Sequence, residues 1–550
     1  MALSASAAFS QTAADAKKAI DAEQYQKAKG ILKKLISAQP AAGENYFYLG
    51  QVYLQTDYID SARATFAKGV ASAADYPLNY IGQGAVELET GNETGAKGLF
   101  EKAAASASKK DVKPLVYIGR AYTEASKPDF KTAVVYLEKA KALNPKDAEA
   151  WLAIGNAHRN LGDNSAAYSD YIAAYDLDKT LIRAKLEKGV STKMAKAYKE
   201  AADEFKAVIA LDPNYGPAYR ELADTYRWIW NGESGTQNET IKLALQNYEK
   251  YMDLTDRSLE SRMKHADFLI LSKEYKALEA EANEMAKLDK TNPRIFRYLG
   301  YAASENGNYP ASIQALKDFI SKVDSTRLIP RDYLYLGKAQ MKTGETVAGF
   351  ANLKKAILMD STYAEMMVEI AKGLYDAKKF DEASAAYELA VKNPKAKVTD
   401  YLYLSLSYYF DYSTKSKANL SPSKDILVKA DSTLSYLNRR APASADPYIF
   451  RARIGRLMDD ETAPKGLMVP FYEKFVELTN ANVAAKGAAT LTASVKNNLL
   501  ESYNNLGAFY ANTDKVKAKE YFDKSVALDP ANEYATNALK QLASMTNTPK

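Results

Sequence analysis

The sequence predicts an all-α solenoid of antiparallel helix pairs over nearly all of its 550 residues. Three observations carry this. Small residues recur about every 34 positions, most are followed at fixed offsets by a second small residue and a large apolar one, and prolines punctuate the ends of the units. Composition agrees: 47% hydrophobic, 26% charged and only 18 prolines describe a folded chain rich in helix formers. A chain this long would ordinarily hold about three or four globular domains. A repeat array escapes that arithmetic, because each unit packs only on its neighbours.

The first small position recurs at Ala16, Gly50, Gly84, Gly119, Gly155, Gly189, Ala223, Ala266, Gly300, Gly337, Ala371, Ser405, Ala452 and Gly507. The gaps are 34, 34, 35, 36, 34, 34, 43, 34, 37, 34, 34, 47 and 55. A bulky side chain there would hold the two helices of a pair (A and B) apart. Helix B supplies the second small position: Ala28, Ala62, Ala96, Ala133, Ala167, Ala201, Ala244, Ser312, Gly349, Ala383, Ala430 and Ala518. Leu278 departs from it, and the thirteenth repeat has no clear match. Large knobs follow four residues later, at Leu32, Phe66, Phe100, Leu137, Tyr171, Phe205, Tyr248, Leu316, Leu353, Tyr387, Leu434 and Phe522. Small and large positions together build a continuous core.

Helix ends agree. "LNPKD", "LDPNY", "KTNPR", "RRAPASADP" and "LDPAN" put proline just beyond helix B, where it can start the next helix but not continue the last. After Pro530, "ANEYATNALKQLASM" reads as a capping helix over the last apolar face. The count is about fourteen repeats.

Two stretches show the unit most clearly: "AEAWLAIGNAHRNLGDNSAAYSDYIAAYDLD" at 148–178 and "SYNNLGAFYANTDKVKAKEYFDKSVALDP" at the C-terminal end. Trp151, Ile154, Gly155, Ala167, Tyr171 and Ala174 in the first, and Tyr503, Leu506, Gly507, Tyr510, Ala518, Phe522 and Pro530 in the second, resemble the tetratricopeptide repeat. The resemblance covers essentially the whole chain. It implies a right-handed superhelix whose A helices line a concave groove, and a non-catalytic role in binding proteins or peptides.

The chain divides accordingly: a leader at 1–10, repeats 1 to 13 at 11–478, an irregular Ala/Thr/Asn-rich linker at 479–499, the last repeat and cap at 500–545, and a tail at 546–550. Two insertions interrupt the period between helix A and helix B. "RWIWNGESGTQNET" at 227–240 lies in repeat 7, and "FDYSTKSKANLSPSK" at 410–424 lies in repeat 12. Both read as loops on one edge of the solenoid, with Trp228, Trp230 and Tyr412 as candidate contact residues.

Net charge is +6, with acids spread along the chain, which does not favour nucleic acid. No run of 18 apolar residues predicts a membrane span. Cysteine is absent, which leaves no disulfide, zinc–thiolate site or cysteine nucleophile within these residues, and no N-terminal lipid anchor on cysteine is expected. Ala2 to Phe9 is small and apolar, and "AFS" before Gln11 resembles a signal-peptide cleavage site, although a basic n-region is missing. Export to the periplasm is the expectation; a plain Ala/Ser tail on a cytoplasmic protein is the alternative.

No enzyme signature or cofactor motif is found: no P-loop, no dinucleotide turn, and two histidines, His158 and His265, in separate repeats. The resemblance assigns binding to helix A, at positions six and three before the small residue and one and four after it, which share a helix face. These supply Arg120, Asn156, Arg159, Arg183, Lys193, Arg220, Arg227, Arg294, Arg297, Tyr301, Arg331 and Lys338 as candidates. The face reads as basic, suited to an acidic or C-terminal peptide through bidentate arginine contacts. The carboxylate clamp of co-chaperone members is not reproduced: Asn156 matches one position, but Leu152 stands where a lysine is needed, and Glu187 and Glu221 occupy later positions. Phe47, Leu54, Leu78, Ile81, Leu88, Leu402, Leu406 and Tyr409 on the same face are either partner patches or covered by the superhelix itself. The leading expectation is a scaffold for a protein or peptide in bacterial envelope assembly or secretion. The alternatives are a glycan-binding envelope protein using the aromatic insertions, and a cytosolic adaptor.

Overall fold

Helices account for most of the described chain, and their order follows the predicted repeats. The computed structural model describes residues 11–232, 237–460 and 462–546. The leader at 1–10, most of the tail at 546–550 and the tip of the repeat 7 insertion lie outside the described residues. Among those described there are 29 α-helices and no strand. Two units divide them, Met1–Asn308 and Tyr309–Lys550. The first holds eight helix pairs and helix A of the ninth repeat. The second holds helix B of the ninth, five further pairs and the cap, Glu533–Thr546.

The sequence register is met in the packing. A Cβ built on Gly84 would lie 2.3 Å from the Phe100 ring, one on Gly155 2.7 Å from Tyr171, and one on Gly507 2.7 Å from Phe522. Gly50 stands in the same way against Phe66, Gly119 against Leu137, Gly189 against Phe205 and Gly337 against Leu353. Each of these knobs is essentially inaccessible to solvent. The small residue therefore makes room for the knob four residues beyond the second small position.

The links between units are also chemically regular. After helix B an aspartate closes a turn by accepting from the backbone two residues on: Asp178 from Thr180, Asp212 from Asn214, Asp289 from Thr291 and Asp360 from Thr362, at 2.8–3.0 Å. The A–B turns need a left-handed residue. Gly162 (φ 87°) and Gly344 (φ 85°) fill it without a Cβ penalty, whereas Glu23 (φ 59°) fills it in the first repeat.

Two expectations change, and one open alternative is decided. The insertions lengthen helices more than loops: helix A of repeat 7 runs Gly216–Gly232 and its helix B starts at Gln237, and helix A of repeat 12 runs Val398–Lys417. Residues 479–499, read as irregular, are largely the end of helix Val469–Lys486 and the start of helix Ala493–Tyr510, joined through Gly487 at φ 86° and a short 3-10 turn. The apolar residues of repeats 2, 3 and 12 are not open patches. Phe47, Leu78, Ile81 and Leu406 are buried, and Leu54, Leu88, Leu402 and Tyr409 are half-buried against core clusters.

In the first unit the A helices lie closest together. Helix A of repeat 2 (Gly43–Gln55) packs on that of repeat 3 (Leu78–Glu89), then on through repeats 4 (Lys113–Glu124), 5 (Ala148–Asn160), 6 (Ile182–Met194) and 7. Successive B helices make no comparable packing among the described residues. Neighbours that approach on one side and splay on the other curve the array, so the A helices form its inner wall. Exposed Val135 and Tyr168 lie on B helices, on the outer side.

Candidate functional site

The inner wall of the first unit is built from charge pairs that join one A helix to the next. Arg159 of repeat 5 pairs with Glu187 of repeat 6, and Lys193 of repeat 6 with Glu221 of repeat 7. Both pairs join the position four after one small residue to the position two before the next. Further along, Lys264 meets Asp224 at 2.6 Å and Arg294 meets Asp267 at 3.2 Å. Burial opposes ionisation of Glu221, but Lys193 and Arg220 outweigh it and hold the carboxyl below its usual value.

The first hairpin (Ala13–Asp21 and Tyr25–Ala38) reaches across to this wall. Lys17 bonds Glu149 at 2.9 Å, and Asp21 accepts from Arg183 at 3.1 Å. Glu23 accepts from Arg220 and from the Tyr251 hydroxyl, the latter at 2.8 Å. Asp256 accepts from the Gln26 N–H at 2.8 Å, in the first turn of the hairpin's second helix. Glu149 is the hub. Burial alone would raise its pKa, but Arg183, Lys17 and Arg120 together hold it at about 2.

Two adjoining cavities open beside this hub. One, of about 240 Å³, is lined by Gln51, Gln55, Glu89, Tyr117, Arg120 and Glu124, among others. The second, of about 310 Å³, shares Tyr117 and Arg120 and adds Lys17, Glu44, Tyr48, Lys113 and Glu149. Arg120 stacks over Tyr117 with 5.1 Å to the ring centre and bonds Glu124 at 3.0 Å. The amides, hydroxyls and charges around these cavities can meet a peptide backbone and polar side chains.

The structure sorts the sequence-derived candidates. Arg120, Arg159, Arg183, Lys193 and Arg220 lie on the inner wall, all paired with carboxylates, so the wall is mixed in sign rather than basic. Asn156 accepts from the Tyr171 hydroxyl at 2.9 Å. With Leu152 buried, no lysine–asparagine clamp forms. Arg227 and Arg297 are half-exposed in the first unit, Arg331 and Lys338 in the second. Tyr301 is a correction: it is only 1% exposed, and a large ring at that position buries itself where charged residues reach for water.

The edge-loop grouping is corrected too. Tyr412 is buried in the core of the second unit, because it follows Leu404 and Tyr408 at four-residue spacing on a continuing helix. Trp228 is 47% exposed and stacks on Tyr198 with ring planes 7° apart, whereas Trp230 is half-buried. Sequence reasoning missed Asp21 and Glu23, and it named Glu187 and Glu221 without pairing them to Arg159 and Lys193. The 28-residue offset of the two wall pairs was a signal available for that pairing.

His158 bonds Asp170 through Nδ1 at 2.7 Å, and burial raises the Asp170 carboxyl. His265 faces Glu281 at 3.4 Å. Among the described residues no cluster of metal-ligating side chains occurs, and no helix is long and apolar enough to cross a membrane.

Fold and wall together define a helical-hairpin repeat protein with one polar, helix-A face. Family profiles described as tetratricopeptide repeat match residues 19–79, 148–181 and 500–532. The hairpins between these matches repeat the same contacts, and the chain is a tetratricopeptide-repeat protein. Proteins of this family generally mediate protein–protein interaction and are typically non-catalytic scaffolds. Among solved structures, the chain is similar to the C-terminal part of a TPR repeat-containing protein from Cytophaga hutchinsonii, at 26% identity over 50% of this chain and 99% of that one, with a TM-score of 0.29. It is also similar to PilF of Pseudomonas aeruginosa (16% identity, 43% and 97% covered, TM-score 0.34). A tetratricopeptide repeat protein from Parabacteroides merdae is a third such structure (14% identity, 45% and 93% covered, TM-score 0.31). No curated protein sequence matches the chain.

Proposed function

We propose that the protein is a non-catalytic scaffold that holds an extended polypeptide along the inner wall of its first unit. One observation carries this: adjoining cavities lie along the A helices and are lined by amide, hydroxyl, apolar and charged side chains of both signs rather than by a single charge type. Pockets of side-chain size spaced along a polar wall suit a polypeptide whose side chains enter them in turn. The same proposal places the scaffold outside the cytoplasm, in bacterial envelope assembly or secretion, on the composition of residues 2–10. N-terminal sequencing of the native protein bears on that part, and an intact Met1 would remove it. The binding role is tested by cross-linking and affinity purification from the native source with mass spectrometry. A stoichiometric protein partner is expected. Nothing above background after cross-linking would end the proposal.

A further inference from the structure

The contacts that close the first hairpin onto repeats 5 to 7 differ from all others in the first unit. Successive repeats are joined by buried apolar knobs. Among the described residues the closing contacts are mainly polar, and from the A–B turn Ala22 enters the apolar cluster of Leu186, Tyr215 and Leu222. The Asp21, Glu23, Arg183 and Arg220 side chains keep between a fifth and a third of their accessibility. Such a contact has little hydrophobic stabilisation and is weakened by salt.

Its polarity is specific. Asp21 and Glu23, two residues apart on the A–B turn, are received by Arg183 and Arg220 on successive A helices, with the Tyr251 hydroxyl completing the Glu23 site. Both arginines also hold a carboxylate of the wall itself, Glu149 for Arg183 and Glu221 for Arg220. If the turn leaves, neither guanidinium is stranded, and each keeps donors to offer, since arginine has five. The turn is therefore removable without leaving a buried, unpartnered charge.

We infer that the face formed by Arg183, Arg220 and Tyr251 is a docking site for an acidic segment bearing two carboxylates with one residue between them, and that the chain's own Asp21–Glu23 turn covers it until such a segment arrives. The inference rests on the inner wall being a polypeptide-binding surface and names the chemistry that one part of it takes. The covering turn serves as the template: a ligand that competes must supply what Asp21 and Glu23 supply.

The test uses the full-length protein and a fluorescein-labelled, end-capped peptide with the sequence of residues 17–27, followed by anisotropy at low and high salt. The opened variant Asp21→Asn/Glu23→Gln is expected to bind the peptide at least about tenfold more tightly than the parent chain. Binding is expected to weaken at high salt and to be lost with a peptide carrying Asn and Gln at the two acidic positions. Adding Arg183→Gln and Arg220→Gln to the opened variant is expected to abolish it. An opened variant with native helical circular dichroism that binds no better than the parent, or binding indifferent to the two arginines, overturns the inference. Where the double substitution costs helix content, Glu23→Gln alone replaces it under the same outcomes. A native partner that cross-links to the wall while this peptide fails would sink only the acidic site; absence of any partner would sink the broader function.

Discussion

Replacing Glu149 by glutamine removes the anion around which Lys17, Arg120 and Arg183 gather. The ordinary carboxyl value of 4.5 falls to about 2 in the folded chain, against the opposing effect of burial. That displacement corresponds to at most about 3 kcal/mol at neutral pH, and to less after screening of its 30% exposed side chain. A folded-state value below the unfolded one means the contribution is complete above about pH 4.5 and is lost as pH falls towards 2. Hydrogen exchange of residues 13–21 and 148–160 reads this locally, which suits a repeat array that need not open all at once. Glu149→Gln is expected to speed exchange there by up to about a hundredfold at pH 7 and to flatten the acid dependence between pH 4.5 and 2. A change under about threefold, or an acid profile parallel to that of the parent, would refute the role given to Glu149.

Other outcomes follow from the same contacts. Phe100→Ala, at a fully buried knob opposite Gly84, is expected to cost about 3–5 kcal/mol by urea denaturation. Glu221→Leu leaves Lys193 without its partner and is expected to cost about 3 kcal/mol, whereas Lys193→Met/Glu221→Leu returns to within about 1 kcal/mol of the parent, as a double-mutant cycle would show. Tyr412→Ala is expected to cost at least about 2 kcal/mol and exposed Trp228→Ala less than about 1 kcal/mol, measured by thermal unfolding; the reverse order would restore an edge-contact role for Tyr412.

Gly155 and Tyr171 show why the fold was legible. The spacing of a small residue and a knob is a local property of two helices, and it recurs until the period is plain. The wall was legible only by half. Helical phase placed Arg159 and Lys193 on the inner face, but a face is not a free surface, and their partners Glu187 and Glu221 stand on the next repeat. The contacts of Asp21 and Glu23 were beyond reach, since they depend on how tightly the array curves, which is set by every intervening helix contact. The insertions misled because Gly, Ser, Asn and Thr suggest a loop. Leu404, Tyr408 and Tyr412 at four-residue spacing already marked a continuing buried face.

Site-specific photo-cross-linking in the native source tests the scaffold most directly. Probes at Gln55 and Lys113 stand on the cavity walls, and probes at Val135 and Tyr168 stand exposed on outer helices. A polypeptide held along the inner wall predicts adducts to one partner from Gln55 and Lys113 and none from Val135 and Tyr168. Equal labelling from both sides, or adducts from the outer helices alone, would contradict it.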